Sequence, residues 1–197
     1  MGNSDCRDNL LAIATRLFAD KGFNGVSIRE LAAAAGVNSS LISYHFGGKE
    51  GLYSAALAEQ FAVLAKVAEI RHMGIDTVKK FELYVRATLA RYRQNPYLLR
   101  FYTSELTNPT ACFESIVKPA IKDVLQNLLE TFSEGLSHKQ FREGLDPLDT
   151  VLALAGMINF YFLLEPVTDE LVEHTPDRDE ALIKHIMNIF MKGVLVK

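Results

Sequence analysis

The chain has 197 residues, of which 49% are hydrophobic and 23% charged, and its formal net charge at pH 7 is −3. This composition excludes a disordered chain, and it also excludes a polybasic protein that holds nucleic acid through net charge alone. Cys6 and Cys112 belong to no CxxC or Cys/His cluster. We therefore expect free thiols in a reducing compartment, with no metal site and no cofactor.

The sequence gives no sign of a membrane protein. Its first five residues lack the basic patch and apolar core of a signal peptide. The longest nearly apolar run, 151–164, is interrupted by Asn159 and is shorter than the roughly 20 residues that a membrane-spanning helix needs. We expect a cytoplasmic protein without a membrane partner.

Apolar residues recur at three and four positions along almost the whole chain, and alternating runs of Val, Ile and Thr are missing. This periodicity predicts an all-α fold of about nine helices. The first predicted helix covers 5–20, and a cationic last turn followed by Gly22 ends it. Ser27 and Glu30 have the spacing of a capping box, which predicts a second helix that Gly36 terminates.

A third short helix follows a tight turn. Asn38 is a suitable cap for a helix over 39–46, which the pair Gly47 and Gly48 closes. Two short helices joined in this way predict a helix-turn-helix. A fourth helix is predicted over 49–71. The remaining predicted helices cover 76–94, 97–107, 110–134, 147–164 and 178–196.

Motifs in the first 57 residues resemble those of a known family. They are VSIRELA at 26–32, AGV at 35–37 and YHFGGKEGL at 44–52. In this order and spacing they resemble the DNA-binding domain of the TetR family of bacterial transcriptional regulators. The resemblance implies an N-terminal three-helix helix-turn-helix domain, 1–50, followed by a helical ligand-binding and dimerisation domain, 51–197. Short helices rich in Ala and Ser also give way to long ones near residue 50.

The third helix would enter the major groove of DNA, because the second helix of a helix-turn-helix does so. The resemblance assigns a base contact to Arg29, whose side chain can bind guanine bidentately; the alternative is a solvated charge or a partner for Glu30. Lys49 begins the fourth helix, where amides and the helix dipole attract a phosphate. The predicted DNA contacts are Ser27, Ile28, Arg29, Asn38, Ser39, Ser40, Leu41, Ser43, Tyr44, His45 and Lys49.

Three positions of the third helix need comment. The family pattern implies that Ile42 is buried and that Leu41 lies near the groove, where it can touch a thymine methyl group. His45 is either a donor to the DNA backbone or a packed histidine with one satisfied nitrogen. Ser43 stands where many family members have a tyrosine, so a common contact is shortened or lost.

The predicted DNA-binding part of the chain, residues 1–53, is called the reading head below. It carries no net charge, because it contains five basic and five acidic side chains. Phosphate contacts from hydroxyl groups and helix N-termini need no formal charge. We therefore expect DNA binding with modest salt dependence and weak nonspecific affinity.

Two late helices, 150–164 and 178–196, are predicted to form the interface of a homodimer. The last helix has an apolar stripe that is wider than one neighbour within the domain would cover. The alternative is that both helices are internal core. A two-fold dimer reads two half-sites, so the DNA operator is expected to be a pseudo-palindrome. The stripe consists of Leu182, Ile183, Ile186, Met187, Phe190, Met191 and Val194.

The resemblance further implies a pocket for a small-molecule inducer among the middle helices. Their aromatic residues favour a ligand of apolar or aromatic character, although an aromatic stripe at helical spacing is equally consistent with core packing. Asn159, an amide in an apolar run, needs a buried partner or a ligand. The predicted ligand contacts are Tyr102, Glu105, Phe113, Asn159, Phe160 and Phe162.

Together these features predict a transcriptional regulator, a repressor that a small molecule releases from double-stranded DNA by shifting the population of its conformations. One alternative is an architectural DNA-binding protein without a ligand, which the neutral reading head disfavours. The other is an all-α enzyme. The five histidines show no HExxH or paired-ligand spacing, and the sequence contains no nucleophile elbow, P-loop or GxGxxG.

Overall fold

Free backbone groups at helix ends must find partners, and this requirement sets many of the helix boundaries in the chain. The structure is a computed structural model that describes residues 3–171 and 175–196. The N-terminal stretch in which we expect no signal peptide, and the connection between the helices predicted over 147–164 and 178–196, therefore lie partly outside the described ranges. Within those ranges the fold is all-α, as predicted, and its α-helices are α1 (Asn3–Lys21), α2 (Ile28–Ala35), α3 (Ser39–Phe46), α4 (Lys49–Ala62), α5 (Ala65–Ala68), α6 (Thr77–Gln94), α7 (Leu98–Thr107), α8 (Lys118–Ser137), α9 (Pro147–Thr168) and α10 (Pro176–Val194).

The caps of α2 and α3 confirm the helix-turn-helix prediction. The Ser27 hydroxyl accepts a hydrogen bond from the Glu30 amide at 3.1 Å, and Gly36 ends α2 in the left-handed conformation with φ 65°. The Asn38 side chain accepts from the Ser40 amide at 2.9 Å. Each short helix thus begins with a side-chain cap, which is worth about 1 kcal/mol.

Glycines allow α3 and α4 to meet at close range. Gly47 and Gly48 have φ values of 75° and 121°, a region that favours glycine. A Cβ atom on Gly51 would lie 1.7 Å from the carbonyl oxygen of Phe46, the last residue of α3. The backbone at the end of α3 therefore packs directly on the first turn of α4.

The prediction of one helix over 49–71 is wrong. α4 ends at Ala62, and α5 and one 3-10 turn follow it. The Asn127 side-chain amide, on α8, donates a hydrogen bond to the Val67 carbonyl at 3.0 Å. A tertiary partner thus takes a backbone acceptor of this segment. Apolar periodicity contains no information about such a partner, so the break was missed.

Two further boundaries differ from the prediction. The helix expected over 110–134 begins with a π-helical turn, Phe113–Val117, before it continues as α8. α9 continues beyond its predicted end through Pro166 to Thr168. The Thr168 hydroxyl donates to the Leu164 carbonyl at 3.3 Å, so a side chain satisfies an acceptor in the last turn.

The chain forms two compact units. The first consists of residues up to 63 together with 95–120, and the second consists of 64–94 together with the residues from 121 onwards. This division differs from the predicted domain boundary near residue 50, which stays a prediction. The first unit contains α1 to α4, α7 and the π-helical turn.

The core of the first unit holds the short helices in place. α1 packs against α2 and α4, α3 packs against α2 and α4, and α7 contacts α1 and α4. Each buried leucine or phenylalanine in this core stabilises the fold by about 1.5–3 kcal/mol. The fully buried side chains include Leu10, Phe18, Leu31, Ile42, Leu52, Tyr53, Leu57, Leu98 and Phe101.

In the second unit, the apolar stripe of α10 belongs to the core. The inference of a dimer interface from the width of this stripe is therefore wrong. Six of its seven residues have exposed fractions of at most 8%. Both α6 and α9 contact α10, and the rings of Phe81 and Phe190 lie 5.2 Å apart. The stripe is wide because two neighbours within the chain cover it. The buried residues are Leu182, Ile183, Ile186, Phe190, Met191 and Val194.

α9 is apolar on all sides. Its inner face, with Val151, Leu154, Ile158 and Phe162, is buried. Among the described residues it is the one helix whose length and composition would allow it to cross a membrane, a test that a core helix of a soluble protein also passes. Its outer face is exposed, and an exposed apolar face of this size is typical of an interaction site. The outer face consists of Leu148, Leu152, Phe160, Leu163 and Val167.

The close contact of α3 and α4 at Gly51 predicts that alanine destabilises the protein at this glycine but not at Gly193. Gly51→Ala forces its new Cβ against the Phe46 carbonyl, so the free energy of unfolding should fall by about 1–3 kcal/mol, the usual cost of overpacking. Gly193→Ala, in α10, meets nothing within 4 Å and should be neutral or stabilising. Urea denaturation of both variants checks this. An unchanged stability of Gly51→Ala would show that α3 and α4 do not meet in this way.

Candidate nucleic-acid interface

The outer face of α3 has the chemistry that DNA reading requires. Ile42 is completely buried, as the resemblance implies, and Leu41 is half-buried. The position of Leu41 near a DNA groove stays a prediction. Hydroxyl groups on the opposite side are accessible to base edges and phosphates. The exposed residues of this face are Ser39, Ser40, Ser43 and Tyr44.

Arg29, in the first turn of α2, is exposed and keeps its donors. The neighbouring Glu30 carboxylate pairs with the Lys21 ammonium, and this hydrogen bond lowers the pKa of Glu30. No acidic side chain in the described part of the chain pairs with Arg29. The interpretation of Arg29 as a partner of Glu30 is therefore wrong, and its guanidinium group remains available to a base or a phosphate.

Lys49 is the first residue of α4, and the preceding Gly48 supplies no side-chain cap. The first amides of α4 therefore depend on solvent or on an anion. The Lys49 ammonium lies 4.2 Å from the centroid of the Phe23 ring. This cation–π contact restrains the ammonium at the helix N-terminus and leaves its other side available to a phosphate.

His45 is half-buried and packs its ring between those of Tyr44 and Phe46, at centroid distances of 4.9 and 6.3 Å. Its Nε2 atom is buried and has no hydrogen-bond partner among the described residues. A DNA contact by this histidine would have to use Nδ1. The burial of the ring supports the interpretation of His45 as a packed histidine, although its buried Nε2 atom makes no hydrogen bond to the described residues.

The other predicted DNA contacts have local tasks. Ser27 and Asn38 are exposed, but their side-chain oxygens accept the capping hydrogen bonds described above. Ile28 is half-buried. A DNA contact by Ser27 or Asn38 would use a donor or a second lone pair of the same side chain.

Ion pairs link several charged residues of the first unit. Asp8 pairs with Arg7 at 3.4 Å, and Asp20 pairs with Arg100 from α7. Exposed pairs of this kind contribute little stability. Their consequence is electrostatic, since Arg100 lies outside 1–53 and supplies a positive charge that the sequence count did not include.

Phe23 and Tyr53 were missed as the aromatic residues that support Lys49 from beneath. The rings of Phe23 and Tyr53 lie 4.9 Å apart, and Phe18 and Phe101 pack against Tyr53 at 4.9 and 5.9 Å. Lys49 and Tyr53 are four residues apart in α4 and share one helix face. That spacing was visible in the sequence, but it did not reveal that one aromatic ring would contact both.

The predicted ligand contacts fall into both units, with Tyr102, Glu105 and Phe113 in the first. Burial raises the pKa of Tyr102, which is half-buried, as is Phe113. Glu105 is completely buried and accepts hydrogen bonds from Tyr53 at 2.7 Å and from Thr110 at 3.2 Å. A ligand would have to displace these bonds.

In the second unit, Asn159 is half-buried and has a half-buried side-chain partner. Its Oδ1 accepts a hydrogen bond from the Tyr92 hydroxyl at 2.7 Å. Phe162 is buried against the Tyr92 ring, whereas Phe160 is 59% exposed. Three open grooves of this unit, of about 610, 580 and 390 Å³, are lined by residues other than the six predicted contacts.

Comparison with known proteins agrees with this geometry. Residues 10–56 match the family described as "Bacterial regulatory proteins, tetR family". A protein of Bacillus subtilis (strain 168), described as "Probable HTH-type transcriptional regulator YttP", is 30% identical over 141 residues, which are 68% of this chain and 67% of that protein. The HTH-type transcriptional repressor KstR2 of Rhodococcus jostii (strain RHA1) is 27% identical over 150 residues, 74% and 72% of the two chains.

A solved structure extends the likeness to nearly the whole chain. The ketosteroid transcriptional regulator KstR2 of Mycobacterium tuberculosis superimposes with a TM-score of 0.78 at 17% identity, covering 97% of this chain and 95% of that one. At this identity the likeness shows a shared fold. With the family match and the Bacillus relative, it leads to one conclusion: the chain belongs to the TetR family of bacterial transcriptional regulators and is not an enzyme.

Proposed function

We propose that this regulator is a cytoplasmic repressor that binds a pseudo-palindromic operator as a homodimer and is released by a small molecule. The observation that carries the proposal is the exposed polar face of α3. This face is flanked by an unpaired Arg29 on α2 and by the uncapped N-terminus of α4 at Lys49. These three features supply base readout and phosphate binding from contacting helices.

The contacts divide by chemistry. Ser39, Ser40 and Ser43 offer hydroxyl groups to base edges, and Arg29 offers the two parallel donors that suit guanine. Tyr44, which is 72% exposed, and Lys49 with the adjacent amides bind phosphate oxygens. Specificity therefore comes from α3 and Arg29, whereas the position of the protein on the duplex comes from Tyr44 and the start of α4.

The second candidate function, an architectural protein that binds DNA without sequence preference, fits less well. Such binding depends on the neutralisation of many phosphates. The predicted reading head has equal numbers of acidic and basic residues. Serines on the groove-facing side also favour readout of base edges over contacts with the DNA backbone alone.

The outer face of α9 supports dimerisation. Phe160, Leu163 and Val167 are 59%, 49% and 71% exposed. A contiguous apolar face of this kind on a soluble protein marks an interaction site. A second copy is the occupant that we propose, since a two-fold axis pairs the face with itself and gives the two reading heads that a palindromic operator needs.

The inducer that we propose is a small apolar or aromatic molecule. Asn159 is the best polar contact, because its Oδ1 is held by Tyr92 while its amide group retains donors. Phe162 supplies an aromatic wall next to Tyr92. A ligand that binds one arrangement of the helices more tightly shifts the protein away from the arrangement that binds the operator.

Two substitutions in the reading head should have different consequences. Arg29→Ala should remove discrimination of about 1–3 kcal/mol at one base pair, because one bidentate contact is lost. Lys49→Ala should weaken binding to all duplexes alike, because one phosphate contact is lost. The salt slope, which is the slope of log affinity against log salt concentration, should fall in magnitude by about one. The measurement is selection of a duplex from a random pool with the wild-type protein, followed by affinity titrations at several salt concentrations.

Lys118→Ala is the matched control for these titrations, because it removes the same charge from an exposed lysine of the first unit that pairs with Glu114. It should leave base preference unchanged. Wild-type behaviour of both Arg29→Ala and Lys49→Ala would reject this assignment of the reading head.

Dimerisation through α9 predicts that one charge on its outer face dissociates the protein. Leu163→Glu places a carboxylate at a position that is half-exposed in one chain, so the fold should persist while a dimer interface would bury the charge unpaired. Sedimentation equilibrium should show monomers, and operator affinity should fall with the loss of the second half-site. Circular dichroism confirms that the helices remain.

Met73→Glu is the control, since Met73 is 42% exposed and lies outside α9. This variant should sediment as the wild-type protein does. If Leu163→Glu also sediments unchanged, the outer face of α9 is not the dimer interface.

A further inference from the structure

Glu105 on α7 is an unusual buried acid. Its exposed fraction is 0%, and no cationic side chain pairs with it in the part of the chain that the structure describes. Its partners are neutral donors: the Tyr53 hydroxyl reaches Oε1 at 2.7 Å, and the amide and hydroxyl of Thr110 reach Oε2 at 3.2 Å. Burying a carboxylate costs free energy, so a site that retains one invites a functional explanation.

The partner of Glu105 belongs to α4, whose first residue, Lys49, is the proposed phosphate contact. Tyr53 lies one turn after Lys49 in α4 and is 2% exposed. Burial, followed by the hydrogen bond to Glu105, raises the pKa of the Tyr53 hydroxyl, so this group stays protonated and remains a donor. The hydrogen bond therefore ties α4 to α7 within the first unit.

The ring of Tyr53 continues this connection to the protein surface. It packs at 4.9 Å against Phe23, and the Phe23 ring carries the Lys49 ammonium at 4.2 Å. The contacts thus run without a gap from Glu105 through Tyr53 and Phe23 to Lys49. The hydrogen bond restrains the Tyr53 ring, the ring supports Phe23, and Phe23 restrains the ammonium.

We propose that Glu105 is a positioning residue for DNA binding: its hydrogen bond to Tyr53 holds Phe23 and, through it, the Lys49 ammonium where a phosphate is bound. This inference rests on the proposed DNA-binding function. It gives Glu105 a task in operator affinity that needs no ligand. It also makes the turn at Thr110, whose hydroxyl accepts from the Cys112 amide at 3.2 Å, part of the same support.

The proposal predicts that conservative changes far from the DNA weaken the operator complex. Tyr53→Phe removes only the hydroxyl donor, and Glu105→Gln keeps the shape but turns an NH2 group towards one of the donors. Each should lower affinity for the wild-type-selected duplex about three- to tenfold, in the lower part of the range of coupling between contacting residues. The salt slope should fall by about one, as expected when one phosphate contact is lost.

A double-mutant cycle with Lys49→Ala separates positioning from general stability. If the hydrogen bond acts through Lys49, Tyr53→Phe and Glu105→Gln should have no further effect in the Lys49→Ala background. Glu114→Gln is the matched control, because it removes the same charge from an exposed acid of the first unit. Stoichiometric titration gives the active fraction of every variant, so a partly unfolded sample still yields an affinity.

Three outcomes would overturn the proposal. Wild-type affinity of both single variants would show that the hydrogen bond does not matter for DNA binding. An equal loss with and without Lys49 would show that it acts by another route. A wild-type protein that enriches no duplex would reject the proposed function together with this inference, whereas the first two outcomes reject the inference alone.

Discussion

The candidate DNA-binding surface of α3 and α4 depends on one constraint, which is the close approach of the Phe46 carbonyl to the first turn of α4. No side chain fits between them, so Gly51 is required, and Gly47 and Gly48 supply the positive φ values that return the chain. The orientation of α3 is thereby fixed to α4 by backbone contact. Side chains elsewhere can change while the polar face of α3 and the N-terminus of α4 keep their relation.

A second layer of contacts supports the charge at that N-terminus. Lys49 rests on Phe23, Phe23 rests on Tyr53, and Tyr53 donates to Glu105. The outermost member is a flexible cation whose rotamer entropy opposes a fixed position, and the inner members are rigid and buried. For the DNA contact that we propose for Lys49, this packing moves the cost of ordering the side chain from the moment of binding into the folding of the first unit, which is the physical content of preorganisation.

The sequence predicted well where structure is determined locally. The caps at Ser27 and Asn38 and the glycines that end α2 and α3 follow from groups within four residues of each other. Prediction failed where a distant partner decided the outcome. Within the segment that was predicted as one helix over 49–71, the Val67 carbonyl of α5 accepts a hydrogen bond from Asn127, sixty residues away. Glu30 pairs with Lys21 rather than with its neighbour Arg29.

The apolar pattern of the last two helices shows the same limit more sharply. Periodicity identifies which side of a helix avoids water but not which neighbour covers it. The wide stripe of α10 looked like an interface and is internal, since α6 and α9 both reach it. α9 has an inner and an outer apolar face, and among the described residues the inner one is buried whereas the outer one is exposed. The two-fold symmetry that the proposed pseudo-palindromic operator needs favours a second copy of the chain as the partner of the outer face.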